Sequence, residues 1–186
     1  SVASRSRILD LDLASEGHRS IEWARRHSPL VNEFLRERLK DGALAGRRVA
    51  VVVHLEAKTA LLATVLADSG AHVVAAGSNP HSTRDEIAAA LVDRGVEVHS
   101  TRDSGYDAWE KDLLAVADTG PEFIIDDGAE LTIRMASQRP SMFQALKGVT
   151  EQTTTGVARL VELANRGRLP FPVLAANDAA CKHLFD

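Results

Sequence analysis

A chain of 186 residues with 45% hydrophobic content is long enough to bury one core without disulfides or metals, and its single cysteine, Cys181, excludes an internal disulfide framework. The net charge of -4, from 22 basic and 26 acidic residues spread along the chain, leaves no electrostatic footprint for nucleic acid or an anionic membrane. No apolar run approaches the length of a bilayer span and the Arg-containing N-terminus lacks a signal-peptide core, so one soluble, cytoplasmic domain is expected.

Residues 8–40 carry helical periodicity, with Ile8, Leu11, Leu13, Ile21, Trp23, Ala24, Leu30, Phe34 and Leu35 among charged residues. This predicts two helices, with Gly17 and Ser28-Pro29 as punctuation, and makes residues 1–45 an N-terminal helical segment. After Asp41-Gly42 the pattern switches. Arg48-Val49-Ala50-Val51-Val52-Val53-His54 is a nearly continuous apolar run rich in β-branched residues, as a central parallel strand covered on both faces requires. A helix over 59–69, a strand over 72–76, a helix over 83–94 and a strand over 96–100 follow, joined by turns such as Ser69-Gly70 and Arg94-Gly95. The alternation continues through a helix over 106–118, a strand over 122–126, a Thr-rich turn with its helix to Arg166, and a strand over 173–176. Residues 46–186 are therefore expected to form an α/β core, a doubly wound, mostly parallel, Rossmann-like sheet with helices on both faces.

In such a sheet ligands bind beyond the carboxyl ends of the strands, near a topological switch point. Polar residues collect there: His54, Ser78-Asn79, Asp126-Asp127-Gly128, Glu151-Gln152 and Asn177-Asp178. Several polar strand ends on one edge favour a ligand cleft over ordinary loop chemistry. In the stretch from Gly148 to Gly156, Thr153, Thr154 and Thr155 cost helix propensity but place hydroxyls and backbone N–H groups at a helix start. A single threonine there would be read as an N-cap, whereas three in a row after Glu151-Gln152 suggest a polar-ligand turn. Asp126-Asp127-Gly128 reads equally as an Asx turn or as a carboxylate that accepts from ligand hydroxyls. Lys182 and Asp186, at i and i+4, form either a surface ion pair worth about 0.3–0.5 kcal/mol or a proton shuttle in a closed cleft, and spacing does not choose. His72, His81, His99 and His183 lack metal-ligand spacing, so no metal site is predicted, while Trp23 and Trp109 read as packing anchors.

His54, Ser78-Asn79 with Ser82-Thr83, Asp126-Asp127-Gly128, Glu151 through Gly156, Asn177-Asp178, and Lys182 through Phe185-Asp186 occur in an order that resembles the S-adenosylhomocysteine hydrolase family. The resemblance runs from about Leu11-Asp12-Leu13-Ala14, through Ile21-Glu22-Trp23-Ala24, to the last residue, and its Thr-rich and Asn-Asp segments are the most specific. It implies one substrate-binding-type domain over 1–186 and, in one-carbon metabolism, reversible NAD-dependent hydrolysis of a nucleosyl-homocysteine thioether to nucleoside and homocysteine. In that chemistry the ribose 3′-hydroxyl is oxidised with NAD as acceptor, the C4′ hydrogen becomes acidic, homocysteine leaves C5′, water adds, and the ketone is reduced back. The resemblance implies that Lys182 and Asp186 act near the 3′-hydroxyl, Asp127 near C4′ as a proton-transfer group, and His54 near the leaving sulfur. Glu56, Lys58, Asn79, Ser82 and Gln152 would meet the substrate, and Thr153, Thr154 and Thr155 the NAD.

Departures from the family pattern fall among these same residues. Where the family has His-Met-Thr followed, one residue on, by a Glu or Gln that reads adenine, this chain has His54-Leu55-Glu56-Ala57-Lys58. Lysine only donates, so the pattern offered to the base is inverted and altered base recognition is expected, a 6-oxopurine being one base that offers Lys58 an acceptor. Gln152 stands for a second Glu, Arg84-Asp85-Glu86 for Gln-Asp-His, Leu184 for a second Lys and Cys181 for a Thr. Family members continue past Phe-Asp into an NAD-binding domain with a Gly-rich loop, and these residues contain no GxGxxG. That domain is expected to come from outside residues 1–186, as more of the same protein or a separate chain; without it the chain is expected to be inactive. A homo-oligomer is a further expected partnership. Two other readings stay open: a non-catalytic nucleoside- or thioether-binding module, and NAD-independent chemistry with Lys182 and Asp127 as acid and base.

Overall fold

The computed structural model describes residues 1–176. It opens with α1 (Val2–Arg5), a 3-10 turn (Leu11–Leu13), α2 (Ala14–His27), and a π-helical turn (Leu30–Leu35) that runs into α3 (Arg36–Arg38). The break at Ser28-Pro29 is present, since α2 ends at His27 and Pro29 caps the next turn. Gly17 does not interrupt α2. It is buried within the helix, and a Cβ there would fall 1.9 Å from the Glu86 carbonyl oxygen and 2.7 Å from Ala90 Cβ. Glycine is at this position because the backbone of α2 presses on α5, not because the chain turns.

The α/β alternation follows as β1 (Arg48–Val53), α4 (Ala57–Asp68), β2 (His72–Gly77), α5 (Asp85–Asp93), β3 (Glu97–Val98) and α6 (Tyr106–Asp118). It continues as β4 (Phe123–Asp126), α7 (Glu130–Gln138), a 3-10 turn (Pro140–Gln144), β5 (Gly148–Glu151), α8 (Thr154–Asn165) and β6 (Val173–Ala175). These six strands form a parallel sheet in the order β3-β2-β1-β4-β5-β6. Along β1 and β2, alternate residues enter two separate layers. Val49, Val51, Val53, Val73 and Ala75 pack with α2, α4 and α5, whereas Ala50, Val52, Val74 and Ala76 pack with α6, α7 and α8. A period-2 chain buried on both faces has to read as a continuous apolar run, which is what β1 does.

The strand expected over 96–100 is shorter; His99 N–H still donates to Ala75 O at 2.9 Å, and the outer edge meets the N-terminal segment, Arg7 N–H donating to Val98 O at 2.8 Å and Ser100 N–H to Arg7 O at 3.0 Å. Trp109 is the expected anchor, buried with its indole N–H on Gly77 O at 2.8 Å, but Trp23 is 56% exposed and stacks on His27 at the surface. Helix α7 was not among the predicted elements, although Leu131 and Met135 stand one turn apart and are fully buried. No helix among the described residues is long and apolar enough to cross a membrane.

The clash at position 17 sets a stability test. Gly17→Ala has to separate α2 from α5 and is expected to lower the unfolding free energy by about 3 kcal/mol in urea titrations. A loss below about 0.5 kcal/mol would show that the two helices are not in this close contact.

Candidate functional site

Chain order places the switch point between β1 and β4, where the path leaves β3, crosses through α6 and returns beside β1. The register pairs Val52 with Asp126 and Asp126 with Glu151, so the carboxyl ends of β1, β4 and β5 are level.

Two carboxylates without exposed surface shape that edge. Asp126 ends β4; its Oδ2 accepts from Thr132 N–H at 2.9 Å and Thr132 Oγ1 at 2.8 Å, and its Oδ1 from Asp127 N–H at 3.1 Å and Leu131 N–H at 3.3 Å. Leu131 and Thr132 lie in the first turn of α7, where amides have no intrahelical partner. The residue before α7 is Ala129, left-handed at φ 56, whose side chain has nothing to cap with, so the carboxylate of the preceding strand does it. Burial pushes the Asp126 carboxyl up to about 6, the nearby Glu151 charge adds to this, and the hydrogen bonds oppose it.

Glu151 ends β5. Its Oε1 accepts from Gly128 N–H and Thr153 N–H, each at 2.9 Å, and from Thr153 Oγ1 at 3.0 Å, while Oε2 accepts from Ala129 N–H at 2.8 Å. One side chain therefore ties the β4–α7 turn to the β5–α8 turn. A Cβ on residue 156 would lie 2.3 Å from the Glu151 carboxyl carbon, which explains the glycine after the threonines. Arg159 reinforces the same turn by donating to Gly128 O at 2.6 Å.

The threonine run divides. Thr153 is the N-cap of α8: its hydroxyl donates to Glu151 and accepts from Gly156 N–H at 2.9 Å. Thr154 and Thr155 are exposed in the first helical turn. Gln152 is half-buried, and its backbone N–H donates to Asp126 O at 3.1 Å.

Across the switch point, His54 Nε2 lies 3.7 Å from Asp127 Oδ2, and the buried Ser78 donates its hydroxyl to the same oxygen at 3.4 Å. Three strand ends thus converge on one carboxylate, with the imidazole 61% and Asp127 22% exposed. An imidazole and a carboxylate can each hold a proton or pass one to a ligand lying against them.

Beside them, Asn79 and Ser82 build the turn after β2. Ser82 Oγ accepts from Asn79 N–H at 3.1 Å and donates to Asn79 O at 3.0 Å, while Asn79 Oδ1 accepts from His81 N–H at 2.8 Å. On the other flank Glu56 is the N-cap of α4, with its N–H donating to Thr59 Oγ1 at 3.1 Å and the Thr59 hydroxyl donating to His54 O. Glu56 and Lys58 line a cavity of about 370 Å³ with Arg19, Ser20, Trp23 and Arg84. Lys182 and Asp186, like Asn177 and Asp178, lie outside the described residues.

The buried proton on Asp126 gives a pH test. Its folded pKa, about 6, is above its ordinary 3.8, so the folded state binds more protons between those values. This contribution is complete below pH 3.8 and lost as pH rises through 6. From pH 4 to 7 the protein should lose about 3 kcal/mol of unfolding free energy relative to Asp126→Asn, which lacks this titration. A difference between the two proteins that does not change with pH would return the carboxyl to its ordinary range.

The sequence matches the S-adenosyl-L-homocysteine hydrolase family over residues 5–141 and 134–186. It is 42% identical over 181 residues to S-inosyl-L-homocysteine hydrolase from Methanococcus maripaludis, covering 97% of this chain and 44% of that relative. It is 44% identical over 170 residues to adenosylhomocysteinase from Thermotoga maritima, covering 91% and 42%. With adenosylhomocysteinase from Aeropyrum pernix the identity is 42% over 185 residues, covering 100% and 44%. The chain spans less than half the length of these curated relatives. From the fold, the convergence of His54 and Asp127 and these matches, the chain belongs to the S-adenosyl-L-homocysteine hydrolase family.

Proposed function

We propose that these residues are the substrate-binding part of an enzyme that reversibly hydrolyses a nucleosyl-homocysteine thioether to nucleoside and homocysteine with NAD, and that its nucleobase is a 6-oxopurine. The observation that carries the reading is the approach of His54 Nε2 to 3.7 Å from Asp127 Oδ2 across the β1–β4 switch point. It puts an imidazole and a carboxylate where a ribose and its C5′ sulfur can lie against both.

The fit to NAD differs between helix starts. The first βα turn of the sheet begins α4 with Glu56, whose carboxylate opposes a pyrophosphate, so this turn is not a dinucleotide cradle. At α8 the exposed Thr154 and Thr155 suit a polar contact with a cofactor held mainly by polypeptide outside these residues. NAD, when bound, supplies the hydride acceptor and donor for the ribose 3′ carbon. The chain's own residues handle protons. Lys182 and Asp186 take and return the proton of the 3′-hydroxyl. Asp127, oriented by the Ser78 hydroxyl, removes the C4′ proton once C3′ is a ketone; the C5′–S bond breaks, and protonated His54 gives its proton to the departing sulfur. Water then adds at C5′, giving a proton to His54, and Asp127 returns the one it holds to C4′. Asn79, Ser82 and Gln152 would meet the substrate, a reading supported by the Asn79 and Ser82 side chains holding the turn that follows β2.

For the base, Lys58 offers only donors, which suit the O6 acceptor of a 6-oxopurine and not the amino group of adenine. The Methanococcus relative is an S-inosyl-L-homocysteine hydrolase, which supports this choice, although the Thermotoga and Aeropyrum relatives are adenosylhomocysteinases.

Two measurements on the full-length protein supplied with NAD test the reading. Asp127→Asn and His54→Ala should each lower turnover by about 10²–10⁴-fold, and unchanged turnover in either removes that residue's role. S-inosylhomocysteine should exceed S-adenosylhomocysteine in kcat/KM by about tenfold or more, with Lys58→Gln narrowing the gap. A clear preference for the adenosyl substrate would eliminate the 6-oxopurine assignment.

A further inference from the structure

We propose that Glu151 and Arg159 are positioning residues for Asp127, clamping Gly128 from two sides so that the neighbouring carboxylate is held for removal of the C4′ proton. The proposal rests on the assignment of that proton to Asp127, and it adds two residues that touch no reacting atom.

The turn after Asp127 supplies the first argument. Gly128 and Ala129 have φ 80° and 56°, so two successive residues are in the left-handed region. Ala129 is buried and carries a Cβ, and an L-residue with a side chain is disfavoured in that conformation. Such a turn persists only where its surroundings hold it. Its successive amides point into one concavity of the kind that binds an anion, and the anion is the Glu151 carboxylate, with Gly128 N–H on Oε1 at 2.9 Å and Ala129 N–H on Oε2 at 2.8 Å. The Gly128 N–H belongs to the peptide group that Asp127 itself begins, so this hydrogen bond sets the rotation of the chain at Asp127.

Arg159 holds the other side. Its guanidinium donates to Gly128 O at 2.6 Å and to Glu130 Oε1 at 3.0 Å. Glu130 also accepts from Arg134 at 2.5 Å, so Arg159→Ala removes the hydrogen bond on Gly128 O without leaving Glu130 unpaired. The residue next to the proton-transfer group therefore has its N–H fixed from the end of β5 and its carbonyl fixed from α8. Displacing a reacting group by about 1 Å costs about 10²-fold in rate, so a turn that relaxes takes Asp127 away from the C4′ hydrogen. Glu151→Gln loosens the clamp from inside: with its oxygen kept on Gly128 and Thr153, its amide N–H2 meets the Ala129 N–H, donor against donor.

The test separates oxidation at C3′ from exchange at C4′ in the full-length protein loaded with NAD, using inosine and adenosine in heavy water. Hydride transfer from C3′ to NAD is read as absorbance of the reduced nicotinamide. Asp127 then removes the C4′ hydrogen as a proton and returns a deuteron, the hydride goes back to C3′, and the released nucleoside carries deuterium at C4′, read by mass spectrometry. Arg159→Ala is expected to slow C4′ exchange by about tenfold and Glu151→Gln by about 10²-fold, with C3′ oxidation and nucleoside Kd within about twofold of wild type. Arg159→Lys, which keeps a donor, should recover most of the exchange rate. Arg159 is 36% exposed, so its variants decide the proposal even where Glu151→Gln folds poorly. Oxidation and exchange falling in parallel would show a purely structural role and overturn the proposal, as would unchanged exchange in Arg159→Ala. Full exchange in Asp127→Asn, or no oxidation of either nucleoside by the wild type, would remove the assignment beneath it and the proposal with it.

Discussion

The carboxylate of Glu151 is the interaction on which the cleft depends. A charge without exposed surface is tolerated only when its oxygens are filled, and Glu151 meets that condition with three backbone N–H groups and the Thr153 hydroxyl, drawn from two different turns. Removing those partners would strand a buried charge at a cost of several kcal/mol, so the two turns are held together for the same reason that the charge can be buried. Asp127 sits between Asp126, whose carboxylate caps α7, and Gly128, whose N–H is held by Glu151. Its position is therefore fixed by buried scaffold neighbours, while its own carboxylate is left to Ser78 and His54.

Topology does the rest. His54 and Asp127 are far apart in sequence, and neither would be near the other if the sheet were laid down in chain order. The return of the chain from β3 to the far side of β1 makes β4 its neighbour, and the in-register pairing of Val52 with Asp126 brings the following residues together above the sheet. Ser78 reaches the same carboxylate from β2 on the other side of β1. The cluster is a product of strand order and register, and it would be lost by a slip of one residue in β4, which would exchange the faces of Asp126 and its neighbours.

How much of this was legible depends on which physical signal each feature carries. The buried parallel strands were, because a sheet covered on both faces leaves an unbroken apolar run in β1. Their polar ends were too, since His54, Ser78-Asn79, Asp126-Asp127 and Glu151-Gln152 end the strand runs. What composition could not show was which polar residue serves the scaffold. Asp126 and Asp127 are adjacent and chemically identical, yet one is wholly buried as a helix cap and the other faces the cleft. Thr153 likewise is a cap while Thr154 and Thr155 are exposed. Gly17 looked like a break because glycine usually weakens a helix; contact with Glu86, distant in sequence, overrode that preference. Helix α7 was hidden because its cap is the carboxylate of the preceding strand, not a Ser, Thr, Asp or Asn at the N-cap.

The same division between scaffold and rim bears on chemistry. Asp126 and Glu151 are fully desolvated, but His54 is 61% exposed, and Lys58, Thr154 and Thr155 are also open to solvent. Removing a proton beside a ketone and expelling a thiolate requires water to be excluded until the step at which it adds. The described residues thus supply orientation without supplying dryness. A donor such as Lys58 can still select among base edges at such a rim when partly solvated. The proposed turnover would make a stricter demand, since a proton donor at His54 would have to be kept from bulk water. On the proposed reading, recognition and proton transfer would therefore be separable, and covering His54 is the change that would couple them.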